Sequence, residues 1–156
     1  MRLERTSHSE ADTRRIAGAL ARALAAGDCL ALRGELGAGK TCFVRGLAEA
    51  LGIDPARISS PTFVLLHEHE RPGGPALAHI DAYRLTGPDD AETLALEELL
   101  ETAICAIEWP DRLADLLPAR RIDIRLDHAE GDRRRIVIEA PGDLAPRLAH
   151  LAEVSS

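Results

Sequence analysis

Residues 29–43 read Cys29-Leu-Ala-Leu-Arg-Gly34-Glu35-Leu36-Gly37-Ala38-Gly39-Lys40-Thr41-Cys42-Phe43. The first four form a short apolar run of buried-strand type. Residues 34–41 fit the pattern G-x-x-x-x-G-K-[ST], and Phe43, Leu47 and Leu51 then recur at helical spacing up to Gly52. A strand, a glycine-rich loop and a helix, in that order, are what a phosphate-cradling loop needs. The glycines let the backbone wrap an anion so that successive N–H groups and the positive end of the helix face it. Lys40 brings a compact charge to the β- and γ-phosphates, and the Thr41 hydroxyl suits a place in the magnesium shell. The expected nucleotide contacts are therefore Glu35, Leu36, Gly37, Ala38, Gly39, Lys40, Thr41 and Cys42. The plain alternative, a glycine-rich turn with a surface lysine, does not call for the flanking strand and helix.

Composition points to the same place. Lys40 is the only lysine among 19 basic residues, so a planar guanidinium replaces lysine everywhere else and not here. The chain has 156 residues, 46% of them apolar, which is material for one core and one domain over residues 1–156. A net charge of −7 disfavours strong direct binding to nucleic acid. No apolar run reaches the length of a membrane span, the first ten residues lack the apolar stretch of a secretory signal, and a cytoplasmic protein is expected. Cys29, Cys42 and Cys105 lack metal-site or disulfide spacing and read as reduced core residues.

Working outward from the loop, Ile16, Leu20 and Leu24 place a helix over residues 9–26 behind a cap at Ser7 or Ser9, and Gly27-Asp28 turns the chain into the strand. Residues 62–66, 76–80 and 103–107 read as strands, with a helix over 88–101 between the last two. Ile122, Ile124 and Leu126 alternate with charged residues before Gly131-Asp132 and the Ile136–Ile138 run, so an antiparallel hairpin finishes the sheet. Leu144, Leu148 and Leu151 allow one short helix in the tail, residues 141–156. The expected architecture is α/β, a P-loop NTPase-type three-layer fold with a mostly parallel central sheet and a C-terminal antiparallel hairpin.

Two acidic residues close apolar strands: Asp81 after Ala-Leu-Ala-His-Ile, and Glu108 after Ala-Ile-Cys-Ala-Ile. Strands ending on the side of the phosphate loop deliver both to its crevice. One is expected to hold magnesium with Thr41 and the other to orient or deprotonate the attacking water; the roles are interchangeable from sequence. Taken singly, each also reads as a solvated residue leaving a sheet. The chain contains no asparagine and no glutamine. It therefore has no Asn-Lys-x-Asp guanine reader, which favours ATP over GTP, and no glutamine to orient water, which leaves that task to a carboxylate. Lys40, Asp81 and Glu108 are the expected catalytic residues, with ATP and Mg2+ as cofactors.

Gly34–Thr41, Ser60-Pro-Thr62-Phe63, His79-Ile-Asp81-Ala-Tyr83-Arg84-Leu85 and Ile107-Glu108-Trp109 occur in an order that resembles the TsaE (YjeE) family. The likeness spans about residues 7–140. The resemblance implies a P-loop ATPase that works with TsaB and TsaD in threonylcarbamoyladenosine modification of adenosine beside the anticodon of ANN-decoding tRNAs. On this reading tRNA is met through the complex. It further implies a switch-like loop at Thr62 near the γ-phosphate, and a surface shaped by Tyr83, Arg84 and Trp109 beside the acidic pair. Thr62, Arg84 and Trp109 join the expected nucleotide contacts on this resemblance: Arg84 suits phosphate or a partner, with a plain surface arginine as the alternative, and Trp109 a nucleotide or interface role, with core packing as its alternative. The segment Val64-Leu-Leu-His-Glu-His69 departs from the family's usual Asn-Glu-Tyr-like ending.

Two other signals point elsewhere and are set aside. His67 and His69 share a strand face but lack a third ligand, so an exposed face is expected. Arg133–Arg135 opens a strand beside Asp123 and Asp127, a charge-paired hairpin. A small-molecule kinase and a non-catalytic nucleotide-dependent switch are the rival functions; the first needs a lid that the sequence does not offer, and the second follows from the missing glutamine.

Overall fold

The computed structural model describes residues 1–59, 66–83 and 91–154. Its sheet forms around β2 (Cys29–Arg33), whose first four residues are buried, and β5 (Ile104–Glu108), buried throughout. Strands covered on both faces need continuous apolar runs, which these are. Parallel pairing joins β2 to β5, β5 to β4 (Leu77–Asp81), and β2 to β6 (Ile122–His128) on its other side. Antiparallel strands flank this block. β3 (Leu66–His69) pairs with β4, β7 (Arg134–Glu139) with β6, and β1 (Arg2–Ser7) with β7, giving the order β1-β7-β6-β2-β5-β4-β3.

Helices α1 (Glu10–Ala21) and α2 (Lys40–Ala50) cover one face, burying Ile16, Leu20, Phe43 and Leu47 against Leu30, Leu32 and Ile124. Helix α3 (Ala91–Thr102) covers the other, with Leu96 and Leu99 on Ile80, Cys105 and Ile107. This is the expected three-layer α/β fold. Ser9 caps α1, its hydroxyl accepting from the Asp12 N–H at 3.1 Å. The two helices touch at Gly46, where a Cβ would lie 2.5 Å from the Arg14 carbonyl oxygen. Gly46 therefore sets how closely α2, with the phosphate loop at its head, sits on α1.

Several expectations need correction. The first strand, β1, has no alternation strong enough to read in Arg2–Ser7, and it is β1, not the hairpin, that closes the sheet at that edge. Helix α1 ends at Ala21, because the segment after it turns around Asp28, whose carboxylate accepts from the Ala25 N–H at 2.7 Å. Of the strand expected at 62–66, residues 62–65 lie outside the described residues, and the described strand Leu66–His69 runs three residues past the expected end. His69 is not on an exposed face: it is 5% exposed and paired across the ladder with Leu77, on the side of the sheet that α1 and α2 cover. Cys29 and Cys105 are core residues, their thiols pushed up to about 12 by burial, whereas Cys42 is only half-buried near the start of α2. Arg135 pairs chiefly with Glu4 of β1 at 2.6 Å and reaches Asp127 at 3.8 Å, while Asp123 takes Arg33 and Arg121 instead.

The tail is docked. α4 (Ala145–Leu148) and a following 3-10 turn bury Leu144, Leu148 and Leu151 in the main core. Arg147 clamps it from the side, donating to the buried Asp28 at 2.5 Å, and Arg5 donates to the Leu151 and Ala152 carbonyls.

Candidate nucleotide site

Gly39 stands at the head of α2 with φ 104° and no side chain to cap the helix, so the first amides of α2 are left for an anion. Gly37 and Gly34 are also at positive φ, and a Cβ on Gly34 would come 2.5 Å from the Leu126 carbonyl oxygen. The loop therefore cannot carry side chains where it turns. Glu35, Leu36 and Gly37 form its exposed crest, while Ala38 is buried beneath.

Lys40 is 6% exposed, and its ammonium lies within the site. Nζ donates to the Gly34 carbonyl and sits 3.7 Å from the centroid of the Trp109 ring, a cation–π contact. Burial pulls the Lys40 pKa below the ordinary lysine value, against the opposing pull of Glu108 and Asp81, the two carboxylates it feels. Trp109 is held there by an unusual backbone: at φ 57° it is the one non-glycine residue in the left-handed region among the described residues. Its ring packs against Tyr83 with centroids 5.0 Å apart and planes tilted by 53°, and Tyr83 is placed by its own N–H donating to Asp81 Oδ1 at 3.0 Å.

Parallel register brings Asp81 and Glu108 opposite one another at the ends of β4 and β5, with Leu32 of β2 next in the row. Both carboxylates thus leave the sheet beside the phosphate loop. Asp81 is partly exposed and Glu108 is 3% exposed. Glu108 does not stand alone: Oε2 lies 2.5 Å from Nε2 of His79, a fully buried ring two residues before Asp81.

Clefts open on both sides of the loop. One, of about 420 Å³, lies between Gly34, Glu35, Trp109 and the end of β6. The other, of about 350 Å³, lies between Gly37, Gly39, Cys42, the β1–α1 turn and the β6–β7 hairpin. The donor set suits a nucleotide with magnesium: glycine-rich amides at the head of α2, a buried ammonium that feels two carboxylates, and the Thr41 hydroxyl in the helix's first turn. No three metal-ligating His, Cys, Asp or Glu side chains cluster among the described residues.

Of the residues expected from sequence, the structure brings together Lys40, Asp81, Glu108 and Trp109, and places Thr41 in the first turn of α2 and Cys42 on the second cleft. Thr62 and Arg84 lie outside the described residues.

The family model described as "Threonylcarbamoyl adenosine biosynthesis protein TsaE" matches residues 7–136. The chain belongs to the TsaE family. It is 46% identical over 115 residues to the Streptomyces coelicolor protein named tRNA threonylcarbamoyladenosine biosynthesis protein TsaE, covering 72% of this chain and 77% of that one. It is 39% identical over 133 residues to the Bacillus subtilis protein of the same name, with 85% and 82% covered. In structure it matches the crystal structure of Bacillus subtilis YdiB with a TM-score of 0.78 and 32% identity, over 98% of this chain and 95% of that one. The structural likeness to YdiB thus spans nearly all of this chain, and the family model takes in the phosphate loop and both strand-end carboxylates.

Sequence reasoning gave His79 no role, although it stands in the same TsaE block as Asp81. A spacing of two on a strand was available as a signal that the two share a face. What was not available is the β4–β5 register, and only that puts the ring beneath Glu108.

Proposed function

We propose that this chain binds ATP with magnesium and hydrolyses it in support of threonylcarbamoyladenosine modification of adenosine next to the anticodon of ANN-decoding tRNAs, acting with TsaB and TsaD. The observation that carries the reading is the buried Lys40 ammonium at the head of α2, ringed by Gly34, Trp109 and the two strand-end carboxylates. A buried ammonium that borrows a carbonyl and an indole face is provisioned for a stronger anion. Lys40 and the amides Gly37 to Cys42 hold the triphosphate, and Thr41 with one carboxylate holds magnesium, which would neutralise charge on the transferred phosphoryl group. The remaining carboxylate orients the attacking water and takes its proton. Asp81 and Glu108 share these roles.

Membership of the TsaE family and the names of its relatives support the pathway. The exposed crest residue Leu36, 79% exposed, and the Tyr83 ring, 47% exposed, support a protein partner over this mouth, since large apolar side chains flank the loop. The acidic net charge supports an indirect encounter with tRNA.

Calorimetry with ATP and magnesium tests the binding. Lys40→Ala is expected to weaken affinity by about 10- to 100-fold, the scale of a charge-assisted hydrogen bond. Trp109 is the sole tryptophan, so its emission should shift as Lys40 moves from the ring to phosphate. Unchanged affinity in Lys40→Ala would refute the site. The missing glutamine favours one second reading, a nucleotide-dependent switch with negligible turnover. Glu108→Ala separates the two: an ATPase loses turnover and keeps ATP, whereas a switch has no turnover to lose.

A further inference from the structure

We propose that His79 is a positioning residue for the nucleotide reaction, fixing the Glu108 carboxylate through a buried hydrogen bond. The inference rests on the reading above that Glu108 serves that reaction, as base or as magnesium ligand, and holds for either.

Register supplies the contact. Asp81 stands opposite Glu108, so His79 stands opposite Ala106, on the same face and one pleat deeper. From there the ring reaches diagonally to Glu108, and Nε2 lies 2.5 Å from Oε2, with His79 0% and Glu108 3% exposed. An ionised carboxylate only accepts, so the hydrogen belongs to Nε2. Nδ1 is buried and has no hydrogen-bond partner. A neutral ring protonated at Nε2 leaves only an acceptor unpaired there, while any form carrying hydrogen on Nδ1 buries an unpaired donor. The structure therefore selects one tautomer, with His79 donating and Glu108 accepting.

Two consequences follow. The Glu108 side chain, buried and bonded to the His79 ring, loses its rotational freedom, and the oxygen not bonded to His79 is the one left to serve the crevice. His79 is fully buried, so solvent does not compete for its hydrogen, and its one side-chain hydrogen bond among the described residues goes to Glu108. Its effect passes through Glu108. Asp81, only two residues further on, is the partly exposed partner of the pair and is instead tied to the Tyr83 N–H. The two strand-end carboxylates are thus held by different devices, one by a ring from below and the other by its own turn.

The test uses the full chain, comparing His79→Phe, His79→Gln, Glu108→Ala and the double variant His79→Phe with Glu108→Ala. Turnover of ATP with magnesium is expected to fall by about 10- to 100-fold in His79→Phe, the usual cost of removing a residue that orients a functional ligand. Calorimetric affinity for ATP should barely move. His79→Gln, whose amide N–H can replace Nε2–H, should recover part of the loss. In the Glu108→Ala background His79→Phe should cost nothing more. Independently of activity, nitrogen NMR should show His79 protonated at Nε2, with a downfield ring proton that disappears in Glu108→Ala. Full turnover in Glu108→Ala would overturn the reading of Glu108 and this proposal with it. Low turnover in Glu108→Ala beside normal turnover in both His79 variants would overturn the role of His79 alone. An equal loss from His79→Phe with and without Glu108 would show a merely structural histidine.

Discussion

Replacing Gly46 by alanine should destabilise the protein, and replacing Gly18 by alanine should not, although both glycines lie on the contact between α1 and α2. A Cβ on Gly46 would sit 2.5 Å from the Arg14 carbonyl oxygen, 2.6 Å from Arg14 Cα and 2.8 Å from Ala17 Cβ. Two of those atoms are backbone, so relief requires the helices to move apart. Overpacking of this kind costs about 1–3 kcal/mol, and backbone neighbours put Gly46 at the upper end. Helix propensity returns about 1 kcal/mol for Gly→Ala, leaving a net loss of about 2 kcal/mol. For a chain of this size that is a fall of about 4–8 °C in Tm. A Cβ on Gly18 meets only Ala50 Cβ at 3.5 Å and the Gly46 carbonyl oxygen at 3.6 Å, ordinary contact distances. There the propensity gain stands alone, about 0.5–1 kcal/mol of added stability. Thermal and urea unfolding followed by circular dichroism measure both. Because α2 carries Lys40 and Thr41 in its first turn, Gly46→Ala should also weaken ATP binding, while Gly18→Ala should leave it intact. A Gly46→Ala protein as stable as the parent would refute the claim that backbone contact sets the spacing of these helices.

Two further outcomes follow from buried charge. Burial, reinforced by Arg57, holds the His69 pKa below its ordinary 6.5, so the folded state favours the neutral ring. The associated stability is fully present above pH 6.5 and is lost as the pH falls through and below that value. His69→Leu should flatten the decline in Tm between neutral and mildly acidic pH, and it should stabilise the protein at pH 7 because both ring nitrogens are buried without partners. Arg147→Ala should cost about 1–3 kcal/mol in urea unfolding, since the Asp28 carboxylate, 3% exposed, would keep only Arg120 at 3.6 Å and the Ala25 N–H. Arg120→Ala should cost less, because that contact is longer and half exposed.

What was legible in the sequence follows from how local each signal is. The strand, loop and helix of residues 29–51 declare themselves because glycine conformation, apolar runs and helical spacing are all local, and the structure places them as read. β1 escaped because its inward residues, Leu3, Arg5 and Ser7, do not alternate with its outward ones in polarity; Arg5 faces the tail and spends its guanidinium on three carbonyls there. Its place at the sheet edge is decided by β7, more than 120 residues away. His69 was misread for a related reason. A histidine on a short strand beside a polar neighbour looks solvated, and only the antiparallel pairing of β3 with β4 sets it beside Leu77, on the face that α1 and α2 cover.

The site divides along the same line, and the division bears on how such sites are built. Residue identities on strand ends were enough to nominate Asp81 and Glu108, since a carboxylate closing an apolar strand needs no partner to be noticed. What distinguishes the two is non-local. Glu108 is tied to a buried ring contributed by the neighbouring strand, and Asp81 is tied to the turn that presents Tyr83. Trp109 joins them, because its left-handed backbone turns the indole back over Lys40 immediately after Glu108 ends β5. Strain of this kind persists only where surrounding contacts over-determine it. Here the Tyr83 ring and the Lys40 ammonium are among the contacts that supply them. The ammonium that grips phosphate in the proposed cycle is thus also a group that holds Trp109. In that cycle, a triphosphate that drew Lys40 away would remove this contact from the indole, so a change at the phosphate loop should register at the Tyr83–Trp109 pair.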